Sequence, residues 1–67
     1  MIKVNLLEAR MKERNVWYND LCEHLNMEYQ SLKKRTSGKV DFRLKEVNEI
    51  RKFLDLTFEQ ADEIFYS

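Results

Sequence analysis

Residues 16–39, VWYNDLCEHLNMEYQSLKKRTSGK, constrain the fold of this chain more than any other stretch. Leu21 and Leu25 stand four apart and so fall on one helical face. Asn26 follows at once, and asparagine is one of the few non-glycine residues that tolerates the left-handed conformation ending a helix. Met27 can then plug a corner, while Leu32 turns the inner face of a second helix onto the first. The spacing predicts two short helices, about 18–25 and about 29–36, joined by a tight turn and closed at Ser37-Gly38. What remains on the second helix is polar and basic: Tyr29, Gln30, Lys33, Lys34 and Arg35.

The flanking sequence supplies three more helices. After a lead-in over residues 1–4, Asn5 is a candidate N-cap with Glu8 three residues on, predicting helix 1 over about 6–14. Leu6, Leu7, Ala9 and Met11 form its apolar side, Asn15 ends it in the left-handed conformation, and Val16 packs inward. A loop at 39–42 leads to helix 4, about 43–54, where Leu44, Val47, Ile50 and Leu54 recur at three- and four-residue spacing until Asp55 breaks it. Thr57, with Gln60 at the third helical position, predicts a capping box for helix 5, whose inner side is Ala61, Ile64 and Phe65. Nothing reads as a strand. The expectation is an all-α, compact five-helix bundle forming a single domain over residues 1–67.

Sixty-seven residues bury one modest core and leave no room for a sizeable active-site cavity. A chain that is 36% charged and 43% apolar suits a folded helical domain rather than a disordered one. No apolar run reaches the roughly 18 residues of a membrane span, and the N-terminus lacks the apolar segment of a signal peptide. The single cysteine, Cys22, has no internal partner and fits a reducing, cytoplasmic setting as a packing residue. His24 has only Cys22 and Glu28 near it in sequence; Cys22, two residues away on a helix, points elsewhere, so His24 reads as a surface residue and not a metal ligand. No Ser–His–Asp order, glycine-rich phosphate loop or paired-carboxylate pocket is present. Neither an enzyme nor a cofactor is expected.

The net charge is zero, but it is unevenly spread. Residues 33–45 hold six basic residues (Lys33, Lys34, Arg35, Lys39, Arg43, Lys45) against Asp41 alone. A local patch steers a polyanion more than the total charge does. The competing reading is a solvated cationic face with no partner. A small helical corner presenting one polar, cationic helix has the geometry of a helix-turn-helix DNA reader.

The points Asp20-Leu21, Leu25-Asn26-Met27, Ser31-Leu32 and Ser37-Gly38-Lys39, with the closing Leu54-Asp55-Leu56-Thr57 through Phe65, resemble the lambda-repressor-like DNA-binding domain, in particular the Cro-like regulators of phage and prophage. The resemblance covers nearly the whole chain. It implies that the second helix of the corner enters the major groove, with Tyr29, Gln30, Lys33 and Lys34 touching base edges. Gln can bond adenine N6 and N7, Lys can donate to guanine O6 and N7, and Tyr can meet a methyl group or a phosphate. It also implies phosphate contacts from Ser37, Lys39 and Arg43, with Tyr18 offering its hydroxyl at the start of helix 2. The expected function is sequence-specific transcription regulation on double-stranded DNA. Because one reading helix covers few base pairs, a homodimer on two half-sites is implied. The sequence holds little beyond the reader, which resembles a Cro-like protein more than a two-domain repressor.

Departures from the family pattern at Trp17, Tyr18 and Glu28, together with the net charge of zero, favour a second expectation. Trp17-Tyr18 stand where the family has Thr-Gln, and Glu28 replaces a small hydroxyl residue at the start of the reading helix. Met11 and Thr36 replace the family's Arg–Glu pair between helices 1 and 3. Trp17 and Tyr18 are either core cover or a contact surface; Phe65 and Tyr66 are either core or part of a dimer seam. The alternative function is a helix-turn-helix fold that binds a protein partner through Trp17 and Tyr18, as an antirepressor or an inhibitor of a host nucleic-acid enzyme.

Overall fold

The computed structural model describes residues 2–66. Five helices follow in order: α1 (Val4–Glu13), α2 (Tyr18–Leu25), α3 (Tyr29–Thr36), α4 (Leu44–Phe53) and α5 (Phe58–Phe65). No strand occurs among the described residues. Helix α2 packs on α3 and α4, α4 packs on α5, and α5 packs back on α1.

Four of the five helices stop in the same way. Asn15, Asn26, Gly38 and Asp55 all have positive φ, at 58°, 53°, 87° and 53°. Behind each, the next N–H reaches back five residues: Val16 to the Met11 carbonyl, Met27 to Cys22, Lys39 to Lys34 and Leu56 to Arg51, at 2.8–3.0 Å. This is the Schellman arrangement, which satisfies carbonyls that the helix end leaves open. The residues after Asn15, Asn26 and Asp55 are apolar, so those stops also direct Val16, Met27 and Leu56 onto the core.

The starts are less uniform. Thr57 Oγ1 accepts from the Gln60 N–H, and Gln60 Oε1 accepts from the Thr57 N–H, both at 3.0 Å, completing the expected box. At α2 and α4 only the return half is made: Asp20 accepts from the Trp17 N–H at 2.8 Å and Glu46 from the Arg43 N–H at 2.9 Å. Helix α1 departs from the sequence expectation. It begins at Val4, with Lys3 and not Asn5 at the N-cap. The Lys3 N–H donates to the Ile64 carbonyl at 2.8 Å, while its own carbonyl accepts from Leu6 and Leu7. A tertiary bond to α5 therefore sets this start, and Asn5 lies exposed in the first turn. Of the expected lead-in, Met1 lies outside the described residues.

The core is Leu7, Met11, Leu21, Leu32, Val47, Ile50, Leu54, Leu56, Ala61, Ile64 and Phe65. Leu7, Leu21, Leu32, Ile50 and Leu54 are wholly buried. Thr36 and Met11 are buried, and Thr36 Oγ1 donates to the Lys33 carbonyl at 3.2 Å, so neither leaves an unmatched polar group. Phe65 belongs to the core and meets Phe42 edge-on at 5.1 Å, whereas Tyr66 is exposed. Two expected core positions are on the surface. Ala9 is exposed on α1, and Leu44, the first residue of α4, is 67% exposed. Each shares its helix's apolar spacing, but no neighbouring element covers it. No described helix is long and apolar enough to cross a membrane.

Candidate functional site

Helix α3 is held by its inner side. Leu32 is fully buried between the helices and Thr36 is buried one turn later, so the rest of the helix faces away. Tyr29, Gln30, Lys33 and Lys34 are all exposed. The left-handed turn at Asn26 and the partly buried Met27 fix how α3 leaves α2.

Three of the expected residues form one cluster. The Tyr18 ring meets Tyr29 edge-on, with centroids 6.3 Å apart, and the Lys33 Nζ lies 5.1 Å from the Tyr18 ring centre. Edge-to-face rings and a cation over a ring are both favourable electrostatic contacts. The Tyr18 hydroxyl donates to Glu8 Oε2 at 2.5 Å. Burial, the bond to Glu8, the Glu8 charge and the neighbouring Tyr29 together raise the Tyr18 phenol well above its ordinary value. Tyr18 is thus a neutral donor already engaged by α1. The expected phosphate contact at this hydroxyl competes with Glu8, a pairing that sequence spacing alone does not suggest.

The remaining expected contacts lie beyond the C-terminal end of α3. Ser37 Oγ donates to the Lys34 carbonyl at 3.0 Å. Lys39 and Arg43 are exposed on either side of the loop that joins α3 to α4. Arg35, one of the six basic residues in the charge cluster, is spent internally. Its Nε donates to Glu46 Oε1 at 3.0 Å and its Nη1 to the Ser31 carbonyl at 3.1 Å. Burial alone would raise the Glu46 carboxyl. The Arg35 hydrogen bond, the Arg43 N–H and the charges of both arginines outweigh that and hold it below its ordinary value. Glu46 falls just past the basic run in sequence, which hides the pairing from a charge count. Among the described residues the cations around α3 that form no ion pair with a carboxylate are Lys33, Lys34, Lys39, Arg43 and Lys45, all exposed.

Other residues singled out in the sequence occupy quieter places. Trp17 is 66% exposed at the head of α2, beside a cavity of about 290 Å³ lined by Glu8, Met11, Lys12, Val16 and Tyr18. His24 is exposed and stacks on Phe53 of α4 at 4.2 Å. Cys22 is half-buried against the core, and burial pushes its thiol up, which favours the unreactive protonated form. Among the described residues no group of three or more His, Cys, Asp or Glu is placed to hold a metal ion. The chain matches no protein-family model, no curated protein and no solved structure.

Proposed function

We propose that this chain is a lambda-repressor-like helix-turn-helix domain of the Cro-like kind, a phage or prophage transcription regulator that reads operator half-sites as a dimer in the cytoplasm. The observation that carries the reading is α3 itself. Tyr29, Gln30, Lys33 and Lys34 project outward from a helix anchored by the wholly buried Leu32. Lys39 and Arg43 flank it at positions suited to backbone phosphates. In this reading α3 lies in the major groove, its side chains select bases, and the flanking cations set register. It assigns no catalysis, metal or cofactor.

The test is selection of bound sites from random duplex DNA, followed by titration of the selected site at several salt concentrations. A sequence preference and an affinity that falls steeply with salt are expected. A folded protein that binds no duplex at low salt sinks the reading. One observation favours a protein partner instead: Trp17, 66% exposed beside its cavity, is the large aromatic anchor typical of protein interfaces. Trp17→Ala distinguishes the two, because it should abolish capture of such a partner while leaving base preferences on α3 intact.

A further inference from the structure

Glu8 belongs to α1, outside the α2–α3 corner, yet it reaches that corner through one bond. Its Oε2 accepts from the hydroxyl of Tyr18, the first residue of α2. The same phenol ring is the common neighbour of two exposed α3 residues. Tyr29 meets it edge-on at 6.3 Å, and the Lys33 Nζ stands 5.1 Å from its centre. A line of contacts therefore runs from α1 through a single half-buried ring to two side chains on the outer side of α3. Lys33 forms no ion pair among the described residues, so the ring is what holds its ammonium. That matters for a lysine, whose flexible four-carbon stem must be ordered before it can select one base edge.

We propose that Glu8 is a positioning residue for base recognition: it fixes the Tyr18 ring by its hydroxyl, and the ring fixes Lys33 and Tyr29. The inference rests on the reading of DNA by α3 and adds to it a residue on another helix. Tyr18 thereby takes a role other than gripping phosphate. A phenol has one proton to donate, and here a carboxylate already holds it. The Glu8 charge also repels a phosphate brought to that hydroxyl. The ring face stays available, and it attracts the lysine cation by its quadrupole. Glu8→Gln and Glu8→Ala separate this role from simple charge. Both remove the negative charge, but the amide oxygen of Gln still accepts from Tyr18, whereas Ala leaves the hydroxyl unheld.

The first readout needs no DNA. The Lys33 ε-protons, on the carbon beside Nζ, fall within reach of the Tyr18 ring current, which displaces their magnetic resonances. Tyr18→Leu removes the ring and sets the zero of that displacement. Glu8→Ala and Tyr18→Phe should move it toward this zero, and Glu8→Gln should keep the wild-type value. The second readout is the binding profile over single-base variants of a site selected from random duplex. Glu8→Ala and Tyr18→Phe should each narrow discrimination by about two- to fivefold at the base pair that Lys33→Ala identifies. Glu8→Gln should restore it, and the double variant should lose no more than either single one, because both break the same contact. A merely structural role would instead shift affinity for all sequences together. Tyr18→Phe carries the test should Glu8→Ala fail to fold. Unchanged ε-proton positions in both variants overturn the proposal. So do unchanged discrimination, equal loss in Glu8→Gln, or a Lys33→Ala profile altered at no base pair. A folded wild-type chain that binds no duplex sinks the DNA reading and the positioning role with it, while the proton positions still decide whether Glu8 holds the ring. A wild-type chain that reads DNA, with discrimination intact in Glu8→Ala, sinks the positioning role alone.

Discussion

The Arg35 guanidinium and the Glu46 carboxylate meet at 3.0 Å across the α3–α4 connection, with side chains only 14% and 15% exposed. The same carboxylate oxygen accepts from the Arg43 N–H, so one group ties the body of α3 to the first turn of α4. Glu46→Gln should therefore destabilise the fold by about 2 kcal/mol, as expected for hydrogen bonds to a charged group. The folded-state pKa of Glu46 lies below its unfolded value, so its contribution is complete above the ordinary carboxylate range. Stability should fall as pH drops through and below that range, and the Gln variant should show a smaller fall. Urea titrations of both proteins at several pH values check this; parallel pH profiles would remove Glu46 from the account.

Leu32→Ala tests the anchor of α3. The side chain is fully buried, so its truncation should cost about 2–5 kcal/mol, a large part of what a small domain has. Thermal melting measures it, and a midpoint within a degree or two of wild type would show that Leu32 does not hold the corner.

Lys39 and Arg43 are exposed and flank α3 without belonging to it. Replacing both by Ala should weaken binding to all duplex sequences by similar factors and flatten the slope of log affinity against log salt by about two units. An unchanged slope in a DNA-binding protein would move the phosphate grip to other cations.

Gln30 and Lys33 are three apart on α3 and both exposed, so they share its outer side. Gln30→Ala should relax preference at one or two base pairs per half-site, at about 1–3 kcal/mol for the preferred site, with non-specific affinity nearly unchanged. Lys33→Ala should lower both. A binding profile across all single-base operator variants at fixed salt reads the outcome, and unchanged preferences in both variants would mean α3 is not the reader.

Much of this architecture is local, and that part was legible. Asn15, Asn26 and Gly38 declare left-handed stops by residue type, and Thr57 with Gln60 declares a start. The corner helices α2 and α3, and the inner positions Val47, Ile50 and Leu54 of α4, followed from apolar spacing. Asn5 misled because the start of α1 is fixed by a bond to Ile64, which is distant in sequence. Ala9 and Leu44 misled because periodicity identifies a helical face but not whether another element covers it. At the candidate site, the outward set on α3 followed from anchoring Leu32. The engagement of Tyr18 by Glu8 and of Arg35 by Glu46 did not, since both pairs join different helices and depend on how those helices cross.

The repeated left-handed stops also bear on how quickly the chain finds its shape. Connections of four, three, seven and four residues separate the helices, and four helix ends are set within their own last turn. Little loop entropy must be surrendered before neighbouring helices can dock, and few contacts require distant segments to meet first. The closing bond between Lys3 and Ile64 spans almost the entire described chain, so it is expected to form after the interior helices have assembled. Temperature-jump relaxation should accordingly be complete within about a millisecond, with the α1–α5 contact as its latest event.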